Sequence, residues 1–168
     1  MSENQEYAKY QIFNGLDKSQ IGNFEKVIES KSFAEGGEIF SEGDIGDSLY
    51  LLLEGEVEIN QALTLQLTKN DYDTREKAII NLSSDIHPVF GEMSLLGSDD
   101  KRTATVKAIS DCEMGIITKD DLFAICHSNP DIGFTIMKNV AAIVTDNLIK
   151  ANINVLKLTT AFSLILEK

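Results

Sequence analysis

The sequence predicts a mainly β chain with flanking helices: a barrel or roll of short strands followed by a long C-terminal helix. Three observations carry this. Between Lys31 and about Thr118, short apolar stretches alternate with glycine turns. Ahead of them, Leu16, Ile21, Phe24, Val27 and Ile28 fall near helical spacing. Beyond Lys119 the period returns to that of a helix, and after Pro130 no proline interrupts it. The expected division is N-terminal helices over 1–30, a roll over 31–128 and a C-terminal helix over 129–168. The 168 residues suffice for one domain with a core.

In the roll, "EIFSEGDIGDSLYLLLEGEVEINQALTLQL" places Gly43, Gly46 and Gly55 at turns between apolar pieces. Val57 and Ile59 point to one face and Glu56 and Glu58 to the other. "TKNDYDTREK" is polar and reads as a hairpin loop with a solvated tip. "RTATVKAIS" and "CEMGIIT" alternate as strands, and "KDDLFAICHS" reads as a short helix. The last segment opens with Asn129 as N-cap, Pro130 at the first helical position and Asp131 at the positive helix end. Unbroken, it would run about 50–55 Å at 1.5 Å per residue. Val144, Leu148, Ala151, Val155, Leu158, Phe162 and Ile165 follow the 3-4 spacing of a coiled-coil seam, which continues past the reach of a small roll. It would pack on the chain's own roll or, as we expect, on a partner, first of all a second copy. Asn147, Lys150, Asn152, Asn154 and Lys157 lie on the other faces.

The net charge of −12 argues against nucleic acid and anionic lipid as partners, while leaving room for one small anion in a locally positive pocket. Cys112 and Cys126 lack metal or redox spacing and read as buried thiols. No signal-peptide core and no uninterrupted apolar run of membrane-spanning length is present, so a cytoplasmic chain is expected. His87, His127, Asp99 and Asp100 have no catalytic or metal-binding constellation around them. No cofactor, metal or enzymatic activity is expected.

The chemistry concentrates in "FGEMSLLGSDDKRTATVKA", Phe90 to Ala108. Gly91 permits close backbone approach. "EMSLL" can form one helical turn whose leading N–H groups suit an anion. Arg102 offers a fork matched to a phosphate, and Glu92 can accept from a sugar hydroxyl. Thr103 adds a hydroxyl and Ala104 is small. One phosphate, one ribose and a base would fit; a nucleoside triphosphate would not, for want of a Walker A motif or metal carboxylates. On residue types alone, Glu92 and Arg102 would equally suit a surface ion pair.

These stretches resemble the cyclic-nucleotide-binding domains of the bacterial catabolite activator protein, of the regulatory subunits of cyclic-nucleotide-dependent kinases and of cyclic-nucleotide-gated channels. Phe90-Gly91-Glu92-Met93-Ser94-Leu95-Leu96, then Arg102-Thr103-Ala104, match that family's phosphate-binding cassette (90–104). The glycine-punctuated strands upstream and "NPDIGFTIMKNVA" downstream match as well, so that the likeness spans roughly Ile12 to Leu156. It implies a β-roll of the double-stranded β-helix or jelly-roll type. It also implies that Arg102 binds the cyclic phosphate with backbone N–H groups near Gly91 and Met93, and that Glu92 binds the ribose 2′-hydroxyl. Thr103 and Ala104 would complete the pocket, with Asn147 reaching over the base from the long helix. The implied ligand is cyclic AMP, or cyclic GMP if Thr103 reads a guanine edge. Two features depart from the family: no helix-turn-helix segment follows the helix, and Ser83-Ser84-Asp85 stands where a glycine turn is usual. The expected function is a cyclic-nucleotide sensor signalling through its C-terminal helix to a homodimer or an effector protein. The alternatives are a ligand-free structural adaptor with the same fold and a fragment of a larger transcription regulator.

Overall fold

The computed structural model describes residues 6–62, 65–68, 71–73, 76–97 and 100–166. Among the described residues, ten strands and four helices follow the expected order of N-terminal helices, roll and long C-terminal helix. Two short 3-10 turns, Tyr7–Lys9 and Gln11–Phe13, lead into α1 (Lys18–Glu25). Asp17 and Gln20 cap α1 reciprocally at 2.9 Å, and the helix ends well before the expected limit near Ser30. The first strand, β1 (Glu29–Phe33), begins there instead. It is followed by β2 (Glu38–Phe40), β3 (Ser48–Glu54), β4 (Glu56–Ala62), β5 (Leu65–Thr68), β6 (Asp71–Asp73), β7 (Glu76–Ser83), β8 (Val89–Phe90), β9 (Thr105–Ala108) and β10 (Cys112–Thr118).

Two antiparallel four-stranded sheets form a β-roll, in the orders β1-β10-β3-β8 and β2-β9-β4-β7. Strand β3 reads "SLYLLLE" without polar alternation because both its faces are covered. Leu49 and Leu51 join the helices in one core, while Leu52 lies inside the roll with Val57, Val106 and Met114. The segment expected as a solvated loop is largely paired backbone: β5 and β6 form a two-stranded hairpin of their own, with Leu65 opposite Asp73. Cys112 and Cys126 are buried free thiols, as expected.

After the roll come α3 (Lys119–Ser128), capped by Thr118, and α4 (Pro130–Leu166). Asn129 does not cap α4 with its side chain; that amide turns back to the Ile125 carbonyl at 3.4 Å, and its backbone carbonyl accepts from Gly133 at 2.9 Å. Ile132, Ile136, Val140 and Ile143 bury α4 against the N-terminal turns and α3. Asn139 fixes the register, donating to the Ile12 and Asn14 carbonyls at 2.9 and 2.8 Å. From Val144 to Leu166 every residue of α4 is exposed. By length and composition α4 is apolar enough to cross a membrane, although no uninterrupted run of its sequence is; polar residues from Asp146 to Lys157 divide its apolar surface.

Candidate functional site

Strand β8 pairs with β3, placing Phe90 opposite Tyr50 with their rings stacked 5.4 Å apart. The chain then turns sharply at Gly91 (φ 88°, ψ 2°) into α2 (Glu92–Leu96). Only glycine serves there. A Cβ would violate the left-handed backbone and sit 2.7 Å from an Arg102 nitrogen and 3.0 Å from the Ser48 carbonyl oxygen. The expected single helical turn is present.

Arg102 comes from the segment between α2 and β9, whose backbone is clamped to the loop before β3. Its N–H donates to the Asp44 carbonyl, and its carbonyl accepts from Gly43, each at 2.8 Å. Gly46 in that loop leaves room for the side chains: a Cβ would fall 2.2 Å from Ser94 Oγ and 2.9 Å from Arg102 Cδ. The guanidinium lies over the Phe40 ring at 4.2 Å and near Tyr50 at 5.4 Å. One terminal nitrogen donates to the Gly91 carbonyl at 3.1 Å and to Ser94 Oγ at 2.8 Å; the other donates to the Ser48 carbonyl at 2.9 Å. Ser94 in turn donates to the Gly91 carbonyl.

Arg102 is only 4% exposed, its Nε has no hydrogen-bond partner, and among the described residues no carboxylate forms an ion pair with it. A buried cation is ordinarily paired. Burial pushes its pKa down, against the opposing pull of Tyr50, Asp47 and Asp44, and an arginine starts so high that it stays charged.

Glu92, at the first position of α2, is 5% exposed. Burial raises its pKa, partly offset by its own backbone N–H, by Asn147 and by Arg102. Asn147 Nδ2 donates to Glu92 Oε1 at 3.2 Å. The surface ion pair is therefore excluded: both groups are buried and they are not paired with each other.

All seven expected residues, Gly91, Glu92, Met93, Arg102, Thr103, Ala104 and Asn147, line one cavity of about 740 Å³, within the usual range for small-ligand sites. Arg102 and Glu92 are buried in its wall, while the Met93 and Thr103 side chains are exposed and touch each other, Thr103 Oγ1 donating to Met93 Sδ at 3.7 Å. Ile59, Leu82 and Val89 supply apolar wall, and α4 brings Asn147, Lys150 and Asn154. Such an arrangement can hold one anion, accept from one hydroxyl and cover a flat apolar group. Among the described residues no cluster of His, Cys, Asp and Glu could hold a metal.

Sequence reading missed Phe40, Tyr50 and Ser48, which hold the guanidinium, and the part Gly46 plays. Phe40 and Tyr50 look like ordinary strand residues; Ser94 carried a signal, being the small residue inside the cassette. Where a glycine turn is usual, Ser84–Ile86 forms a 3-10 turn closed by His87 in the left-handed region (φ 47°, ψ 56°), its ring against Tyr10 at 5.4 Å.

Residues 30–129 match the family model for the cyclic nucleotide-binding domain. The cyclic AMP receptor protein of Thermus thermophilus is 26% identical over 142 residues, covering 84% of this chain and 59% of that protein. A cAMP-dependent protein kinase regulatory subunit of Dictyostelium discoideum is 32% identical over 103 residues, 60% of this chain and 28% of that one. The crystal structure of the Thermus thermophilus catabolite activator protein superposes with a TM-score of 0.71 at 25% identity, covering 89% of this chain and 63% of that one. The chain thus spans little more than half, or less, of the curated relatives it matches. It belongs to the cyclic nucleotide-binding domain family.

Proposed function

We propose that the chain is a cyclic-nucleotide sensor that acts by binding rather than by catalysis. Arg102, with backbone N–H groups at Gly91 and Met93, takes the cyclic phosphate; Glu92 accepts from the ribose 2′-hydroxyl; Thr103 and Ala104 complete the pocket. The observation that carries this is the buried Arg102 guanidinium, which has no carboxylate partner among the described residues and whose Nε is unpartnered. A bound monoanion neutralises it.

The ligand is cyclic AMP or cyclic GMP. The relatives named for cyclic AMP favour the first, and a Thr103 hydroxyl able to meet a guanine edge keeps the second in play. The output passes through α4, whose seam of Val144, Leu148, Ala151, Val155, Leu158, Phe162 and Ile165 is exposed at every position and spaced to pair with a second copy. An effector protein would read that dimer. The acidic charge supports a protein partner rather than nucleic acid or an anionic membrane, and the two unpaired thiols suit the reducing cytoplasm.

The test is isothermal titration of the chain with each nucleotide, beside Arg102→Ala. Micromolar or tighter binding is expected, weakened at least tenfold in the variant, since charge-assisted contacts contribute about 1.5–3 kcal/mol. No heat with either nucleotide, from a chain that still unfolds cooperatively, would favour the adaptor.

A further inference from the structure

The Arg102 guanidinium rests on rings, and among the described residues no carboxylate pairs with it. Phe40 reaches it because β2 pairs with β9, where Phe40 lies opposite Val106. Tyr50 and Phe90 come from the other sheet, on β3 and β8, and their rings stack 5.4 Å apart. Phe40 tilts against both, 5.4 Å from Tyr50 and 6.2 Å from Phe90. The three rings thus bridge the two sheets and tie Arg102 to the strand that leads into Gly91. Phe40 is the nearer of the two rings under the cation, at 4.2 Å against 5.4 Å for Tyr50, and it also lines the cavity. Asp44 and Asp47 are close enough for their charges to act on the guanidinium.

We propose that Phe40 is a positioning residue for the ligand's anion: its ring holds the Arg102 charge in place without neutralising it. The inference rests on the reading that Arg102 takes the phosphate. A buried cation needs compensation. A carboxylate would supply it through two parallel hydrogen bonds to the guanidinium edge, and would cancel the charge that an incoming anion must meet. An aromatic face attracts the same cation through its quadrupole, carries no net charge and has no lone pair to occupy an N–H group. The terminal nitrogens are then fixed by neutral oxygens of Gly91, Ser94 and Ser48, and Nε stays uncommitted. Without the ring, the guanidinium is free to turn towards Asp47 or Asp44. Drawing it back for a phosphate would then cost affinity, as any loss of preorganisation does.

The test is titration of the full chain with cyclic AMP and cyclic GMP in two forms, Phe40→Leu and a chain with trifluorophenylalanine in place of Phe40. Fluorine nearly keeps the shape of the ring while draining its negative face, so a role in packing alone would leave binding unmoved. Phe40→Leu is expected to weaken binding by about fivefold or more, the size of a cation–π contact shielded from water. The fluorinated ring is expected to weaken it in the same direction. Wild-type affinity in the fluorinated chain would overturn the proposal. Should Phe40→Leu fail to fold, the fluorinated chain, which keeps the packing, decides alone. Arg102→Ala run alongside separates the two claims. If the wild type binds neither nucleotide, or Arg102→Ala binds as tightly as the wild type, the phosphate reading falls and takes the role of Phe40 with it. If Arg102→Ala weakens binding and the fluorinated ring does not, the role of Phe40 alone falls.

Discussion

The two halves of α4 are built from the same kinds of residue and live in different surroundings. From Pro130 to Ile143 the helix buries Ile132, Ile136, Val140 and Ile143, comes so close to α3 that Gly133 has no room for a side chain, and satisfies Asn139 on two carbonyls of the N-terminal turn. From Val144 to Leu166 it is no less apolar, yet Val155, Leu158, Phe162 and Ile165 are each more than half exposed. Ile149, Ile153 and Leu156 form a further exposed strip beside that seam. Periodicity states that a face will be buried; it does not state by what. In the first half the cover is this chain's own roll and turns, and in the second no described residue of this chain buries it.

The largest expected contrast is in unfolding. Ile136→Ala removes a fully buried side chain and should cost about 2–5 kcal/mol. Leu158→Ala in dilute chain should change chemical denaturation by no more than about 0.5 kcal/mol. Equal losses would break the comparison. Next comes Gly133→Ala. Its Cβ would meet the Cys126 carbonyl oxygen at 2.8 Å, so it should destabilise by about 1–3 kcal/mol although alanine is the better helix former. A neutral result would show that α3 and α4 are looser than they look. Paired lysines at Val155 and Phe162 should leave the unfolding midpoint almost unmoved and abolish self-association in sedimentation velocity. A dimer that survives both would move the seam elsewhere.

The smallest effect concerns Glu92, where the second half touches the pocket. Burial raises its folded pKa, so the folded state favours the protonated form. The stability Glu92 contributes is then present at low pH and lost as pH rises through that pKa. Glu92→Gln should therefore make the ligand-free chain more stable at neutral pH, with the gap closing below the ordinary carboxylate range. A gap that widens on acidification would reverse the assignment.

The roll, the single turn of α2 and the cassette were legible because each is local: a glycine that must turn, an acid beside it, an arginine ten residues on. What supports Arg102 was not. Phe40, Ser48 and Tyr50 lie more than fifty residues before it; β2 brings Phe40 in by pairing with β9, and β3 brings Ser48 and Tyr50 in by pairing with β8. The hairpin of β5 and β6 was hidden by polar residues that suit a loop and a paired edge alike. The side chain of Asn129 deserted its expected cap because the Ile125 carbonyl at the end of α3 lay within reach. Asn147 was placed in the cavity by resemblance, but its partner there, Glu92, appears only in three dimensions.

The most direct test is a crystal structure of the chain grown with cyclic AMP or cyclic GMP. A phosphate oxygen within hydrogen-bond distance of Arg102 Nε, with the ribose 2′-hydroxyl on Glu92, is the predicted result. A nucleotide bound elsewhere, or Arg102 Nε still without a partner at saturating nucleotide, would contradict the account.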